Sequence, residues 1–134
     1  MNGVGADTIL SIRNLTKTYP NGVQALKGVS FDVKRGEFLV VIGLSGSGKS
    51  TMLRCLNRLH HPTSGEVLYR GKEGSVVDIA AAEGEEILTV RKKIAMIFQH
   101  FNLIPRHSVL RNVLYGALGR TGVFKSIFGL FSSE

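Results

Sequence analysis

Apolar and polar positions alternate in two stretches near the start of the chain. The first runs from Ile9 to Tyr19 and the second from Val29 to Val33. A period of two is typical of half-exposed strands, which bury one face only. Between them, Pro20-Asn21-Gly22 has the composition of a tight turn. The pattern therefore predicts two antiparallel strands.

Two further stretches are continuously apolar and predict a different kind of strand. Phe38 to Ile42 follows a predicted turn at Lys34-Arg35-Gly36, and Ile94 to Phe98 lies later in the chain. Such runs are typical of strands that are covered on both faces in a parallel α/β sheet. A short strand is also predicted at Glu66 to Tyr69, and Gly71 to Gly84 is predicted to be a loop connection.

Three helices are predicted from apolar spacing and from signals at their ends. Apolar residues recur at helical spacing from Met52 to Leu59, and the lone Cys55 among them is predicted to be a small buried side chain. Glu85 to Lys93 has acids at its start and bases at its end, which matches the helix dipole. Ser108 is predicted to cap a third helix from Val109 to Leu118.

Composition places the chain among globular proteins. Its 134 residues suffice for one modest domain with a core, or for part of a larger domain. A content of 43% hydrophobic and 20% charged residues excludes a disordered chain. No apolar run approaches the about 18 residues of a membrane-spanning helix, and the start has no signal-peptide pattern. These features favour the cytoplasm.

The net charge of +7 suits a polyanionic partner such as a nucleotide, a nucleic acid or an anionic membrane. The longest basic cluster is Arg91-Lys92-Lys93, and no aromatic residues are interspersed with it. A solvated helix face is therefore predicted there rather than a nucleic-acid surface.

One glycine-rich stretch carries the pattern of a phosphate-binding loop: Gly, four residues, then Gly-Lys-Ser. Its glycines would let backbone N–H groups approach a phosphate at a helix N-terminus. Lys49 could reach the β and γ phosphates, the Ser50 hydroxyl could ligate Mg²⁺, and Thr51 offers a hydroxyl near the α phosphate. The alternative is a glycine-rich turn that matches by chance. The predicted nucleotide-binding residues of the loop are Gly43, Leu44, Ser45, Gly46, Ser47, Gly48, Lys49, Ser50 and Thr51.

The residues needed to cleave the γ phosphate are less evident. Hydrolysis calls for an Asp at the end of a buried strand, a residue that orients water, and positive charge near the transition state. None of the ten carboxylates follows four large apolar residues: Glu83 follows Ile79 and three alanines, and Asp78, after Val76 and Val77, comes nearest to the expected pattern. The predicted strand at Ile94 to Phe98 ends in Gln99 instead. A catalytic acid is therefore not identified in this chain.

The four histidines do not supply the missing group. His60 and His61 stand at a helix end, where they are predicted to cap the last carbonyls. His100 and His107 could contact a partner, but neither has an acid or a cysteine at metal-ligand spacing.

Several motifs in order resemble the ATP-binding subunit of an ABC transporter. They are Leu15 to Tyr19 ahead of Ala25 to Phe31, then Gly43 to Thr51, then Ile94 to Gln99 followed by Phe101 to Leu103. The resemblance runs from Ile9 to the end of the chain. It implies an α/β fold, with a P-loop core of parallel strands, an antiparallel β-subdomain at 8–37, the core and Q-loop at 38–99, and the start of a helical subdomain at 100–134.

The resemblance also implies roles for single residues. Tyr19 would stack on the adenine ring of ATP, although it could instead be a strand-end tyrosine that packs on the sheet. Gln99 would be the Q-loop glutamine near Mg²⁺ and the attacking water, and it forms the implied catalytic pair with Lys49. Residues from Phe101 to Arg111 would lie near the groove that receives a membrane subunit.

The same resemblance implies what the whole protein does. The signature sequence, the acidic strand end and the switch histidine of the family follow later than Glu134, so an N-terminal fragment is expected. The implied protein is an ATPase that works as a homodimer on transmembrane permease subunits, with a substrate-binding protein and no nucleic acid. Its implied location is peripheral, on the cytoplasmic face of the membrane.

Within the family, four pieces are similar to phosphonate importers: Phe101 to Arg106, Val109 to Leu114, Gly116 to Thr121, and Phe128 to Phe131. The alternatives are a different ABC importer, or a nucleotide-binding module without turnover. Tyr19 and Gln99 argue against another P-loop class. The apolar tail from Val123 to Phe131 is expected to make the isolated chain poorly soluble, unless it forms a surface-seeking amphipathic helix.

Overall fold

The computed structural model describes residues 7–99 and 102–116. The chain divides into two compact units, Met1–Ala95 and Met96–Glu134. Among the described residues, the first unit contains four strands and two helices, and the second contains one helix. No helix in these described ranges is long and apolar enough to cross a membrane.

The first unit is built on an antiparallel sheet with the strand order β2-β1-β3-β4. Strand β1 spans Thr8–Thr18 and β2 spans Gln24–Lys34, which confirms the predicted antiparallel pair. The turn between them closes where the Gly22 N–H donates to the Tyr19 carbonyl at 2.9 Å. Strand β3, Ser64–Arg70, pairs with the other edge of β1 and confirms the predicted short strand.

A fourth strand lies where a loop was predicted. Strand β4 spans only Val76–Asp78 and pairs with β3. Three residues are too few to show a period of two, so the prediction of an unstructured connection from Gly71 to Gly84 is wrong over these positions. Asp78 fixes the strand end, because its Oδ1 accepts from the N–H groups of Val67 at 3.0 Å and Ala80 at 2.9 Å.

The core lies between the sheet and two helices, α1 at Lys49–Leu56 and α2 at Gly84–Arg91. Both helices confirm the sequence pattern, with ends displaced by a few residues. Cys55 is fully buried, as predicted, and burial raises the pKa of its thiol. The buried apolar residues that form this core are Ile12, Leu15, Leu26, Met52, Cys55, Val67, Ile79, Ala82, Ile87 and Val90.

Two arginines join the ends of the helices. The Arg91 Nη2 donates to the Arg58 carbonyl at 2.7 Å and its Nε to the Asn57 carbonyl at 3.1 Å. The Arg58 Nη1 in turn donates to the carbonyls of Ile79 and Ala82. Arg91, Lys92 and Lys93 are exposed, as predicted, and the guanidinium of Arg91 in addition caps the end of α1.

The two predicted buried strands are absent from the described residues. Phe38 to Ile42 forms no strand, and Phe38 is 90% and Ile42 88% exposed. Ile94 to Phe98 forms none either, and Ile97 is 97% exposed. A central strand needs a hydrogen-bonded neighbour and cover on both faces. Neither stretch belongs to the sheet of the described residues, so the two predicted strands are wrong there.

The second unit contains helix α3, Val109–Tyr115. Its predicted N-cap is confirmed, since the Ser108 Oγ accepts from the Arg111 N–H at 3.3 Å. The side chain of Asn112 holds the preceding loop, because its Oδ1 accepts from the Ile104 N–H at 2.8 Å. The predicted extension to Leu118, the tail from Val123 to Phe131, His100 and Phe101 lie outside the described residues.

Candidate nucleotide-binding site

The glycine-rich loop lies directly before α1 and is held close to strand β2. Gly48, the N-cap of α1, has a left-handed φ of 90°, and a Cβ there would lie 2.4 Å from the Ala25 carbonyl oxygen. At Gly43, a Cβ would lie 2.7 Å from the Ser47 Oγ. Gly48 therefore requires glycine, for its backbone conformation and for its contact with the backbone of β2, whereas a side chain at Gly43 would need the Ser47 hydroxyl to move.

The ammonium of Lys49 is held inside this loop. Its Nζ donates to the carbonyls of Gly43 at 2.6 Å and Leu44 at 2.7 Å, and it lies 3.3 Å from the Ser47 Oγ. One side chain therefore connects the first and last parts of the loop. It also places a positive charge beside the N-terminus of α1, where the first N–H groups of a helix have no acceptor within the helix.

The structure brings Tyr19 to the same helix. The Tyr19 hydroxyl lies 3.1 Å from the Thr51 Oγ1 and 3.3 Å from the His60 Nδ1. The His60 ring stands edge-on to the tyrosine ring, with centroids 5.8 Å apart, and the Lys17 Nζ lies 5.4 Å from the tyrosine centroid. Two predicted site residues, 32 positions apart in sequence, are thus in direct contact.

The contact of His60 with Tyr19 was not predicted. His60 uses its backbone N–H to cap the Arg54 carbonyl at 3.0 Å, while its ring turns to Tyr19. The His61 ring accepts from the Arg58 Nε at 3.2 Å. The predicted capping is therefore confirmed for the backbone of His60, while the two rings make other contacts. Local sequence carries no signal for a contact that depends on how β1 packs beside α1.

The surroundings of His60 favour its neutral form. Burial lowers the pKa of the imidazole below its usual value, and the positive charges of Arg54 and Lys17 lower it further. A neutral ring can either accept from or donate to the tyrosine hydroxyl, depending on which nitrogen carries the proton.

Gln99 and His107 lie in the second unit. Gln99 is exposed. The His107 Nδ1 contacts the Tyr115 hydroxyl, and the two rings have centroids 5.6 Å apart. The role of Gln99 stays a prediction.

The carboxylates of the described residues provide no metal site. No group of three His, Cys, Asp or Glu side chains within those ranges could hold a metal ion. Asp78, which by sequence came nearest to a catalytic acid, is instead occupied by the backbone of β3 and the following turn. Its role in the described structure is to end a strand.

Two curated relatives are named phosphonates import ATP-binding protein PhnC. The protein of Bdellovibrio bacteriovorus is 59% identical over 128 residues, which are 95% of this chain and 47% of that protein. The protein of Staphylococcus aureus strain USA300 is 49% identical over 125 residues, 93% of this chain and 47% of that protein. The chain thus spans about half the length of the curated relatives it matches.

A solved structure and a family model agree with these relatives. The dimeric, post-hydrolysis structure of the ATP-binding cassette MJ0796 bound to ADP and Pi superposes with a TM-score of 0.69 at 35% identity, covering 94% of this chain and 50% of that one. The predicted α/β class with its antiparallel subdomain is the fold of such cassettes. The ABC transporter family model matches residues 26–132. The chain therefore belongs to the ABC transporter family.

Proposed function

We propose that this chain is the ATP-binding part of the energy-coupling subunit of a phosphonate importer. The observation that carries the proposal is the geometry around Lys49, in a chain 59% identical to a protein named for phosphonate import. The ammonium, the glycines and the start of α1 together form a cradle suited to phosphate oxygens.

The residues present fit a magnesium nucleotide. Gly48 leaves no room for a Cβ beside the Ala25 carbonyl, so backbone atoms shape the loop where it meets α1. On nucleotide binding, the Lys49 Nζ would donate to a β or γ phosphate oxygen in place of one of the loop carbonyls. The Ser50 hydroxyl would ligate Mg²⁺. When bound, Mg²⁺ neutralises phosphate charge and polarises the bond to be cleaved. The whole loop from Gly43 to Thr51 is proposed to hold the phosphates.

Tyr19 is proposed to stack on the adenine. Its hydroxyl is anchored at Thr51 and His60, which fixes the ring beside the phosphate loop before nucleotide arrives. Stacking of a base on an aromatic ring contributes about 1 to 3 kcal/mol, and a fixed ring loses less entropy on binding.

Hydrolysis and transport are proposed for the whole protein. Gln99 would orient the attacking water, because a neutral amide can position water but is a poor base. Homodimerisation is supported by the dimeric relative of known structure. Permease subunits, a substrate-binding protein and a peripheral position on the cytoplasmic face of the membrane follow from the proposed role as an importer subunit.

Titration of the chain with a fluorescent ATP analogue tests the nucleotide part. Lys49→Ala should abolish binding, because it removes the only loop side chain that carries positive charge. Lys27→Ala, an exposed lysine on β2, is the matched control and should bind like the parent. Equal affinity in the two variants would overturn the assignment.

Transport is tested separately with the whole protein reconstituted with its permease in vesicles. ATP hydrolysis should rise when a phosphonate and the binding protein are supplied. If a different class of substrate stimulated ATP hydrolysis and phosphonates did not, the proposed substrate would be wrong, and the proposed nucleotide site would be unaffected.

A further inference from the structure

A second groove lies in the first unit, between the β3–β4 hairpin and helix α2. Its volume is about 520 Å³, within the range of small-molecule sites. None of its lining residues belongs to the loop from Gly43 to Thr51 or is Tyr19. The proposed ATP site therefore does not account for this groove.

The charge of the groove is one-sided. Four cations line it, namely Arg35, Arg70, Lys72 and Lys93, against the single carboxylate of Glu73. They come from three separate parts of the unit: the end of β2, the hairpin, and the residues after α2. The Arg70 guanidinium has contacts of its own, including one with the Gly74 carbonyl at 3.5 Å, so the excess charge is counted on Arg35, Lys72 and Lys93 alone. A groove in which positive side chains outnumber negative ones attracts anions.

The uncharged residues that line the groove indicate what the rest of the ligand is made of. Ser75 and Thr89 add hydroxyl groups at the polar side, while Tyr69, Val77 and Val90 supply an apolar wall. A bare oxyanion is far smaller than this groove and would leave the wall uncovered. A ligand that uses both parts has a multiply charged oxyanion head and an apolar or aromatic body.

We propose that this groove binds a small organic anion with a doubly charged phosphorus oxyanion head, a phosphate monoester or a phosphonate. The head lies among Lys72, Lys93 and Arg35. Their three positive charges exceed the one negative charge of Glu73 by two, which the two negative charges of the head balance. The body covers Tyr69 and Val90. This site is separate from the proposed nucleotide site and does not depend on it.

Isothermal titration of the chain with phenylphosphonate tests the proposal, because its carbon–phosphorus bond resists hydrolysis. One saturable site is expected, at least about tenfold tighter than for inorganic phosphate, which lacks the apolar body. Benzoate has the same ring with a single charge and should also bind at least about tenfold more weakly. Equal affinity for all three anions would overturn the proposed ligand class.

Variants locate the binding. Lys72→Ala combined with Lys93→Ala should weaken phenylphosphonate at least about tenfold, because each lysine supplies a charge-assisted contact. The matched control combines Lys27→Ala with Lys92→Ala, which removes the same charge from exposed positions outside the groove. Circular dichroism checks that both fold. An equal loss in the two double variants would mean general charge attraction and would contradict the site.

The phosphate loop could also capture the probe, and Lys49→Ala separates the two sites. The groove should bind phenylphosphonate in this variant as in the parent. Loss of the probe in Lys49→Ala with retention in the Lys72 and Lys93 variant would place it in the loop and overturn the proposal. Failure of ATP binding leaves the groove result unaffected, so the two hypotheses fail independently.

Discussion

Strand β1 and the apolar stretch from Phe38 to Ile42 both lie in the first unit, but only β1 buries its apolar side chains. In β1, Ile12 is fully buried, whereas Ile42 in the continuously apolar stretch from Phe38 to Ile42 is 88% exposed. Strand β1 needs cover on one face and receives it from nearby elements, with β2 returning across a short turn. The stretch from Phe38 to Ile42 needs neighbours on both sides, and the described residues provide none. A strand with alternating apolar residues can thus be covered by elements that are near in sequence. A continuously apolar strand needs further elements, on both of its faces, that are distant in sequence.

The largest expected effect is on the free energy of unfolding when Ile12 or Ile42 is replaced by alanine. Ile12→Ala should lower the free energy of unfolding by about 2 to 5 kcal/mol, because it leaves a cavity between the sheet and α1. Ile42→Ala, with the same atoms removed from an exposed position, should change it by less than about 0.5 kcal/mol. Urea denaturation followed by circular dichroism measures both. Similar losses would mean that the stretch from Phe38 to Ile42 is packed in solution.

A second prediction concerns the junction between the sheet and the loop. Gly48→Ala should destabilise the chain by about 1 to 3 kcal/mol, because alanine disfavours a φ of 90° and its Cβ would meet the Ala25 carbonyl. Binding of ATP should weaken with it, since the loop must move away from β2.

Gly46→Ala is the control for that variant. Gly46 also has a left-handed φ, of 78°, but a Cβ there meets nothing within 4 Å. Gly46→Ala should therefore lower the free energy of unfolding by about 1 kcal/mol, through the backbone conformation alone. Thermal unfolding compares the two, and equal losses would show that the contact with Ala25 does not hold the loop.

The sequence anticipated the parts of the fold whose partners are close along the chain. The β1–β2 hairpin, the helix after the phosphate loop and the Ser108 cap all depend on neighbouring residues, so local patterns suffice. Strand β4 was missed because three residues show no period. The loop from Gly43 to Thr51 was visible as a motif, but its anchoring to Tyr19 was not, since that contact joins residues 32 positions apart.

A third, smaller effect concerns association rather than folding. Phe38→Ser combined with Ile42→Ser should reduce binding of the dye ANS and self-association, because both side chains are exposed apolar surface. Unfolding free energy should hardly change. Val23→Ser, at an isolated exposed valine, is the control and should leave dye binding unaltered. Sedimentation velocity records the change, and persistent association of the double variant would place the sticky surface elsewhere.

The smallest expected effect is the pH dependence of stability caused by His60, which lies beside Tyr19 where the sheet meets α1. Because the pKa of His60 is lowered in the folded chain, the unfolded chain binds more protons as the pH falls toward and below about 6.5. The stability from neutral His60 is therefore present above that pH and lost below it. His60→Gln should flatten the dependence of unfolding free energy on pH between about 7.5 and 5.5. Tyr19→Phe should retain the dependence, since burial is the largest cause of the shift and the ring stays in place. An unchanged slope in His60→Gln would assign the titration to another group.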